Sequence, residues 1–170
     1  MRRYLGVVLF AAVVALSGCT PPGPAVPAPA GAPQPAPATE TWVAQMLVRI
    51  NAERTAVGAA PLELCARLTT AARAHSEDQA ATGTMSHIGS NGSTMTQRVE
   101  TTGYIGWRSL AENVAAGYPD ANTVMNGWMN STGHRANLLS ASSAHVGLGR
   151  ATSGSGSLYW AQNFGRGGSC

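Results

Sequence analysis

Eight of the ten prolines fall between Thr20 and Thr39, mixed with alanine and glycine and without a single charge. Such a segment cannot bury enough surface to fold, and it favours extended polyproline II. At about 3.1 Å per residue it can reach roughly 60 Å, the plain design of a spacer. What can fold is therefore confined to Glu40–Cys170, about 130 residues, enough for one domain. Hydrophobic residues make up 44% of the chain, so that remainder can build a core.

The residues before the spacer set the compartment. Arg2 and Arg3 precede an apolar run from Leu5 to Leu16. About twelve residues are too few for a permanent helix across a hydrocarbon layer of about 30 Å. The run ends in Leu16-Ser17-Gly18-Cys19, which resembles a bacterial lipoprotein cleavage box. The expected organisation is a lipoprotein signal peptide at 1–18, a lipidated Cys19 with its Pro/Ala-rich linker at 19–39, and a folded domain at 40–170. Cleavage before Cys19 would leave it acylated, for instance with palmitate, and several acyl chains anchor stably where one does not. The expected location is extracytoplasmic, lipid-anchored to the membrane of a bacterial cell surface.

Charge excludes one function class. The formal +3 includes Arg2 and Arg3; without them nine arginines face eight carboxylates. No basic footprint remains for nucleic acid. Nothing in the sequence calls for an oligomer, and a monomer is expected.

Hydrophobic period places the elements. Val43, Met46, Leu47, Ile50 and Val57 mark one buried helix face, capped by Thr39 or Thr41 and ended by Gly58. Pro61, a favoured first-turn residue, opens a second helix with the stripe Leu64, Cys65, Leu68, Ala71, Ala72 and His75, closed by Gly83. A third runs from Met95 to Thr102, and a fourth follows Pro119-Asp120 with Val124, Met125, Trp128 and Met129 inward. Alternation over 144–150 and the aromatic run 157–164, separated by Ser153-Gly154-Ser155-Gly156, predict an antiparallel hairpin. A further short strand covers Ser109–Val114. The expected class is α+β, with helices on a small antiparallel sheet.

With Cys19 used for lipid, Cys65 and Cys170 remain on the oxidising side of a membrane. They are either two free thiols or a disulfide, which would close a loop of about 105 residues. There is no Cys-x-x-Cys for redox chemistry, and no nucleophile elbow, phosphate loop, dinucleotide fingerprint or His-Glu-x-x-His helix. The histidines carry the chemical interest. His75 falls on the buried stripe of the second helix and reads as a core residue, while His145 reads as surface or edge. His87 lies in the Gly/Ser-rich stretch 85–90, and His134 lies where a helix gives way to a turn. Glu112 opens Glu112-Asn113-Val114 beside the short strand.

These residues recur in a known order. Asn51-Ala52-Glu53-Arg54, His75-Ser76-Glu77-Asp78, Ser86-His87, Glu112-Asn113-Val114 and Trp128-Met129-Asn130-Ser131 come first. Gly133-His134-Arg135-Ala136-Asn137-Leu138-Leu139, Gly147-Leu148-Gly149 and Tyr159-Trp160-Ala161-Gln162-Asn163-Phe164-Gly165 follow. Together they resemble the CAP superfamily, or SCP domains: cysteine-rich secretory proteins, antigen 5 and plant pathogenesis-related proteins. The resemblance covers essentially all of Glu40–Cys170. It implies a three-layer α-β-α sandwich and a cavity where two histidines and two glutamates converge. His87 and His134 match the histidines and Glu112 the first glutamate. The second would follow Trp128, where Met129, Asn130 and Ser131 stand instead.

Two neutral imidazoles and a carboxylate, His87, His134 and Glu112, suit Zn²⁺ with one position left for water. Loss of the second glutamate weakens such a site. The same three groups equally make a structural network in which Glu112 accepts hydrogen bonds. Asn113 and Asn137 are expected to bond backbone, and Trp107, Trp128, Tyr159 and Trp160 to fill core rather than a lipid groove. Ser86 and Ser131 adjoin the cavity histidines, without an orienting third group for a hydrolytic set. The expected function is binding of a lipid or envelope ligand, or a protein partner, beside a weak divalent site. The competing expectations are a metal-assisted, peptidase-like hydrolase of the envelope with Glu112 as base, and a structural or signalling surface protein whose cavity is vestigial.

Overall fold

The computed structural model describes residues 40–170, so the expected signal peptide at 1–18, the expected lipidation at Cys19 and the Pro/Ala-rich segment to residue 39 lie outside the described residues. Helix α1 spans Thr41–Ala56 and buries Trp42, Val43, Met46, Ile50 and Arg54; of the expected face Leu47 is partly buried, while Val57 lies past the helix end and is exposed. Its N-cap is Glu40 rather than a threonine, and no side chain caps it. The Glu40 carboxylate instead accepts hydrogen bonds from Trp42 Nε1 and Arg73. Gly58, at φ 74°, turns the chain out of the helix.

The next helix does not begin at Pro61. Glu63–Leu64 form a short strand, β1, and α2 runs Ala66–Thr82. The sheet claims this segment, because the Glu63 and Cys65 amides donate to the Ala144 and Val146 carbonyls. Local preference for a helix start yields to those long-range bonds. Gly83 ends α2 in the left-handed conformation, as expected.

Helix α3, Met95–Thr101, and helix α4, Ala121–Met129, each open with a capping box, Thr94 with Gln97 and Asp120 with Thr123. A fifth helix, α5 at Thr132–Leu139, occupies the segment read as a turn. It buries only Leu138, so it offers no apolar period to detect.

Strands β2 (Ser109–Ala116), β3 (His145–Thr152) and β4 (Leu158–Arg166) complete a sheet of order β1-β3-β4-β2. The β3–β4 hairpin and the β2–β4 pairing are antiparallel. The β1–β3 pairing is parallel, so the sheet is mixed rather than wholly antiparallel. One face carries Val146, Leu148, Trp160 and Phe164 against α1, α4 and α5 in the main core. On the other face Leu68, Ala71 and Ala72 of α2 lie close to the strands. This is the three-layer α-β-α sandwich.

Gly147 and Gly149 explain how close α2 can come. A Cβ at Gly147 would run into the Leu68 carbonyl, and one at Gly149 into that of Ala72. The opposite layer is tied down by Arg54, fully buried, which donates to the carbonyls of Ala60 (2.7 Å), Leu138 (2.8 Å) and Ser140 (3.0 Å). Cys65 and Cys170 form a disulfide, joining the start of α2 to the final residue across 105 positions. In the chain-entropy view a loop of that size contributes up to ~4.7 kcal/mol.

Candidate functional site

Strand alternation aims Glu112 and Asn163 at the α2 side of the sheet, directly opposite each other in the β2–β4 register. The Glu112 side chain is only 2% exposed. Its Oε1 accepts from His87 Nδ1 at 2.9 Å, and its Oε2 accepts from Arg98 at 2.7 Å. The Asn163 amide, turned so that its nitrogen faces the carboxylate, donates to Oε2 at 3.0 Å. A buried carboxylate is tolerable only when satisfied in this way.

The same contacts fix His87. A carboxylate only accepts, so Nδ1 carries the hydrogen and Nε2 of the neutral ring is left bare. The side chain is 59% exposed, so that bare nitrogen belongs to a ring open to solvent. The loop bearing it is clamped from α2 at two points. His75 Nε2 donates to the Ser86 carbonyl at 2.7 Å, and the Ser86 amide donates to Gln79 Oε1 at 3.1 Å. Asp78 holds Ser90 through its amide and hydroxyl, and Arg98 donates to the His87 carbonyl at 3.2 Å.

His75 is fully buried, as its place on the helical stripe predicted. Its Nδ1 has no partner. Burial pushes its pKa below 6.5, against the pull of the Glu112 charge, so the 4.0 Å separation from Glu112 joins a neutral ring to a carboxylate. His134, in the first turn of α5, is also pushed below 6.5, by burial and then by the repulsion that His87 exerts when protonated. Asp78 is held below 3.8, chiefly by the Ser90 hydroxyl and amide.

His87 and Glu112 are bonded directly, whereas His134 is tied to the Glu112 strand through its backbone carbonyl, which accepts from Asn113, so the three are not equivalent. Among the described residues no three His, Cys, Asp or Glu side chains are grouped to hold a metal ion. The donor set agrees: a cation on Oε2 of Glu112 would have to displace Arg98 or sit beside its positive charge. Glu112 fits the orienting carboxylate behind His87 and does not fit a metal ligand. Two imidazoles remain, fewer than zinc takes from protein in a tight site.

Other expectations resolve around this centre. Asn113 donates to the His134 carbonyl at 3.1 Å and Asn137 to the Glu112 carbonyl at 3.2 Å, both bonding backbone. Ser86 Oγ accepts from the Ile88 amide of its own loop. His145 is half-buried inside the sheet, its Nδ1 bonded to the Tyr104 hydroxyl at 2.8 Å. Trp128, Tyr159 and Trp160 are core. Sequence reasoning missed Arg98 and Asn163. The cross-strand register could have found Asn163; nothing in the spacing of α3 marks Arg98.

Beside His134 lies a cavity of about 310 Å³, lined mainly by Met85, Val114, Tyr118, Trp128, Ser131 and His134. Its walls are mostly apolar, with Ser131 and His134 supplying polar groups.

Comparison with known proteins agrees with this fold. The cysteine-rich secretory protein family profile (CAP) matches residues 47–164. The protein YkwD of Bacillus subtilis strain 168 is 34% identical over 114 residues, 67% of this chain and 43% of that protein. The membrane protein YlbC of the same organism is 32% identical over 71% of this chain and 33% of its own length. This chain therefore spans less than half the length of either relative. An extracellular SCP-domain protein from Bacillus anthracis superimposes with a TM-score of 0.66 at 28% identity, covering 72% of this chain and 39% of that one. An outer surface protein from Borrelia burgdorferi, at 22% identity and a TM-score of 0.67 over 74% and 92%, shares the fold.

Proposed function

The chain belongs to the cysteine-rich secretory protein (CAP) family, and from that premise we propose that it is an extracytoplasmic binding module for an apolar envelope ligand. The observation that carries the reading is the cavity itself, apolar along Val114 and Trp128 with Ser131 and His134 for a polar end. Small-molecule sites combine an apolar lining with a few placed polar groups in this manner. The extracellular and surface proteins with the same fold support the location. The cleavage-box resemblance supports a lipid at Cys19, with the proline-rich tether carrying the domain away from the membrane.

Binding is favoured over hydrolysis because Glu112 is committed. With its oxygens taken by His87, Arg98 and Asn163, the carboxylate orients a ring rather than accepting a proton from water. Divalent capacity in this reading is weak and rests on His87 and His134, with Glu112 behind them.

The test is thermal unfolding of the purified chain with and without lipid extracted from a bacterial envelope. The expected result is a raised melting temperature, lost in Ala116→Phe, which fills the cavity from the edge of β2. An identical melting curve for the native chain with and without lipid overturns the proposal.

A further inference from the structure

One wall of the cavity beside His134 carries sulfur. Met85, in the loop between α2 and α3, lines it together with Val114 and Trp128, and stands 52% exposed. The main chain is held on both sides of it. The Thr84 amide donates to the Gln79 carbonyl at 3.2 Å and the Ser86 amide to Gln79 Oε1 at 3.1 Å, and Gln79 is buried. Met85 therefore keeps its place on the cavity wall while remaining open to solvent.

The other methionines of the described residues are covered. Met46 is 1% exposed and Met125 fully buried, and Gln162 Nε2 lies 3.4 Å from the sulfur of the first and 3.7 Å from that of the second. Met95 and Met129 are partly buried, each packed against an apolar cluster. An oxidant must reach the sulfur lone pair, so exposure ranks these side chains. Cys65 and Cys170 are joined as a disulfide and hold no thiol that would react first.

We infer that Met85 is an oxidation site of this protein, converted to its sulfoxide by peroxides ahead of the other methionines, and that the product makes an apolar part of the cavity wall polar. In the step, the sulfur lone pair forms a bond to one peroxide oxygen and the O–O bond breaks. The departing hydroxide takes the proton left on the sulfur-bound oxygen and leaves as water, so the thioether is oxidised and the peroxide reduced. A thioether is a weak acceptor, whereas the sulfoxide is polar, and it arises on the wall that Val114 and Trp128 share with His134. On the extracytoplasmic side of a membrane the reducing thiols of the cytosol are absent. Methionine sulfoxide reductases, one for each sulfoxide epimer, restore the thioether. The inference stands on exposure and position and does not depend on what the cavity binds.

The experiment treats the full chain with hydrogen peroxide and follows each methionine by peptide mapping and mass spectrometry. Histidine ring signals are recorded by NMR before and after. Met85 should gain oxygen about tenfold or more faster than Met46 and Met125, and the reductases should remove it. The His134 ring signals should move on oxidation, while those of His145, bonded to Tyr104 and outside the cavity lining, should not. In Met85→Leu the fast oxidation and the His134 shift should both vanish. The native chain alone decides the order of oxidation, so the inference stays testable if the variant does not fold. Oxidation of Met46 or Met125 as fast as Met85, or none at Met85, overturns it. A Met85 sulfoxide that leaves the His134 signals unmoved overturns its effect on the cavity.

Discussion

Arg98 and His87 hold opposite oxygens of one buried carboxylate: Glu112 Oε2 is 2.7 Å from the guanidinium and Oε1 is 2.9 Å from the imidazole Nδ1. The Arg98 side chain is itself only 10% exposed. Removing one member of such a pair leaves the other charge buried without a partner, at a cost of about 3–5 kcal/mol. Glu112→Gln should lower stability by that amount in urea denaturation. The double variant with Arg98→Met should recover part of it, since the orphaned charge is gone. A loss below ~1 kcal/mol would mean the pair behaves like a solvated surface bridge.

Acid should weaken the fold before its carboxylates titrate. His75 is held below 6.5 by burial, with Glu112, Arg98 and Asp78 as its charged neighbours, and His134 is lowered too. The unfolded chain therefore binds more protons than the folded one once the pH falls below 6.5, and stability drops from that point. Glu40, held down mainly by its bond to Trp42, and Asp78, held down by Ser90, have their windows lower, below 4.5 and 3.8. Urea denaturation from neutral pH to about pH 5 thus isolates the histidines. His75→Gln should flatten the slope by up to ~1.4 kcal/mol per pH unit, one proton's worth. An unchanged slope would place the proton uptake elsewhere.

Much of this was legible in the sequence because it follows a period. The α1 face, the α2 stripe with His75 on it, the hairpin and the exits at Gly58 and Gly83 are all local patterns. What failed was decided at long range. Pro61 looks like a helix start until β3 supplies acceptors for Glu63 and Cys65. Helix α5 buries one side chain and leaves no stripe. In the candidate site, motif matching singled out His87, Glu112 and His134, yet their inequality depends on Arg98 and Asn163, which reach Glu112 only after α3 and β4 are in place.

The approach of α2 to the sheet is a matter of one missing carbon. Gly147→Ala should be strongly destabilising, by about 3 kcal/mol or more, since its Cβ meets helix backbone rather than a movable side-chain tip. Gly154→Ala, in the hairpin connection with nothing nearby, should change stability by less than ~0.5 kcal/mol. Parallel denaturation curves check both. Equal stabilities for the two variants would mean α2 can lift without cost.

Zinc affinity should run opposite to ordinary expectation for an arginine. Two imidazoles supply fewer ligands than zinc normally takes, so calorimetric titration of the native chain should give binding weaker than about micromolar. His87→Ala with His134→Ala should abolish it. Arg98→Met removes the positive charge and the donor at Glu112 Oε2, turning a committed carboxylate into an available third ligand. Zinc should then bind tighter, on the order of tenfold, even though no ligand has been added to the sequence. Equal affinity in the native and Arg98→Met chains would show that Glu112 stays with His87 and Asn163 whatever faces its second oxygen, and that the site is a two-histidine site by construction.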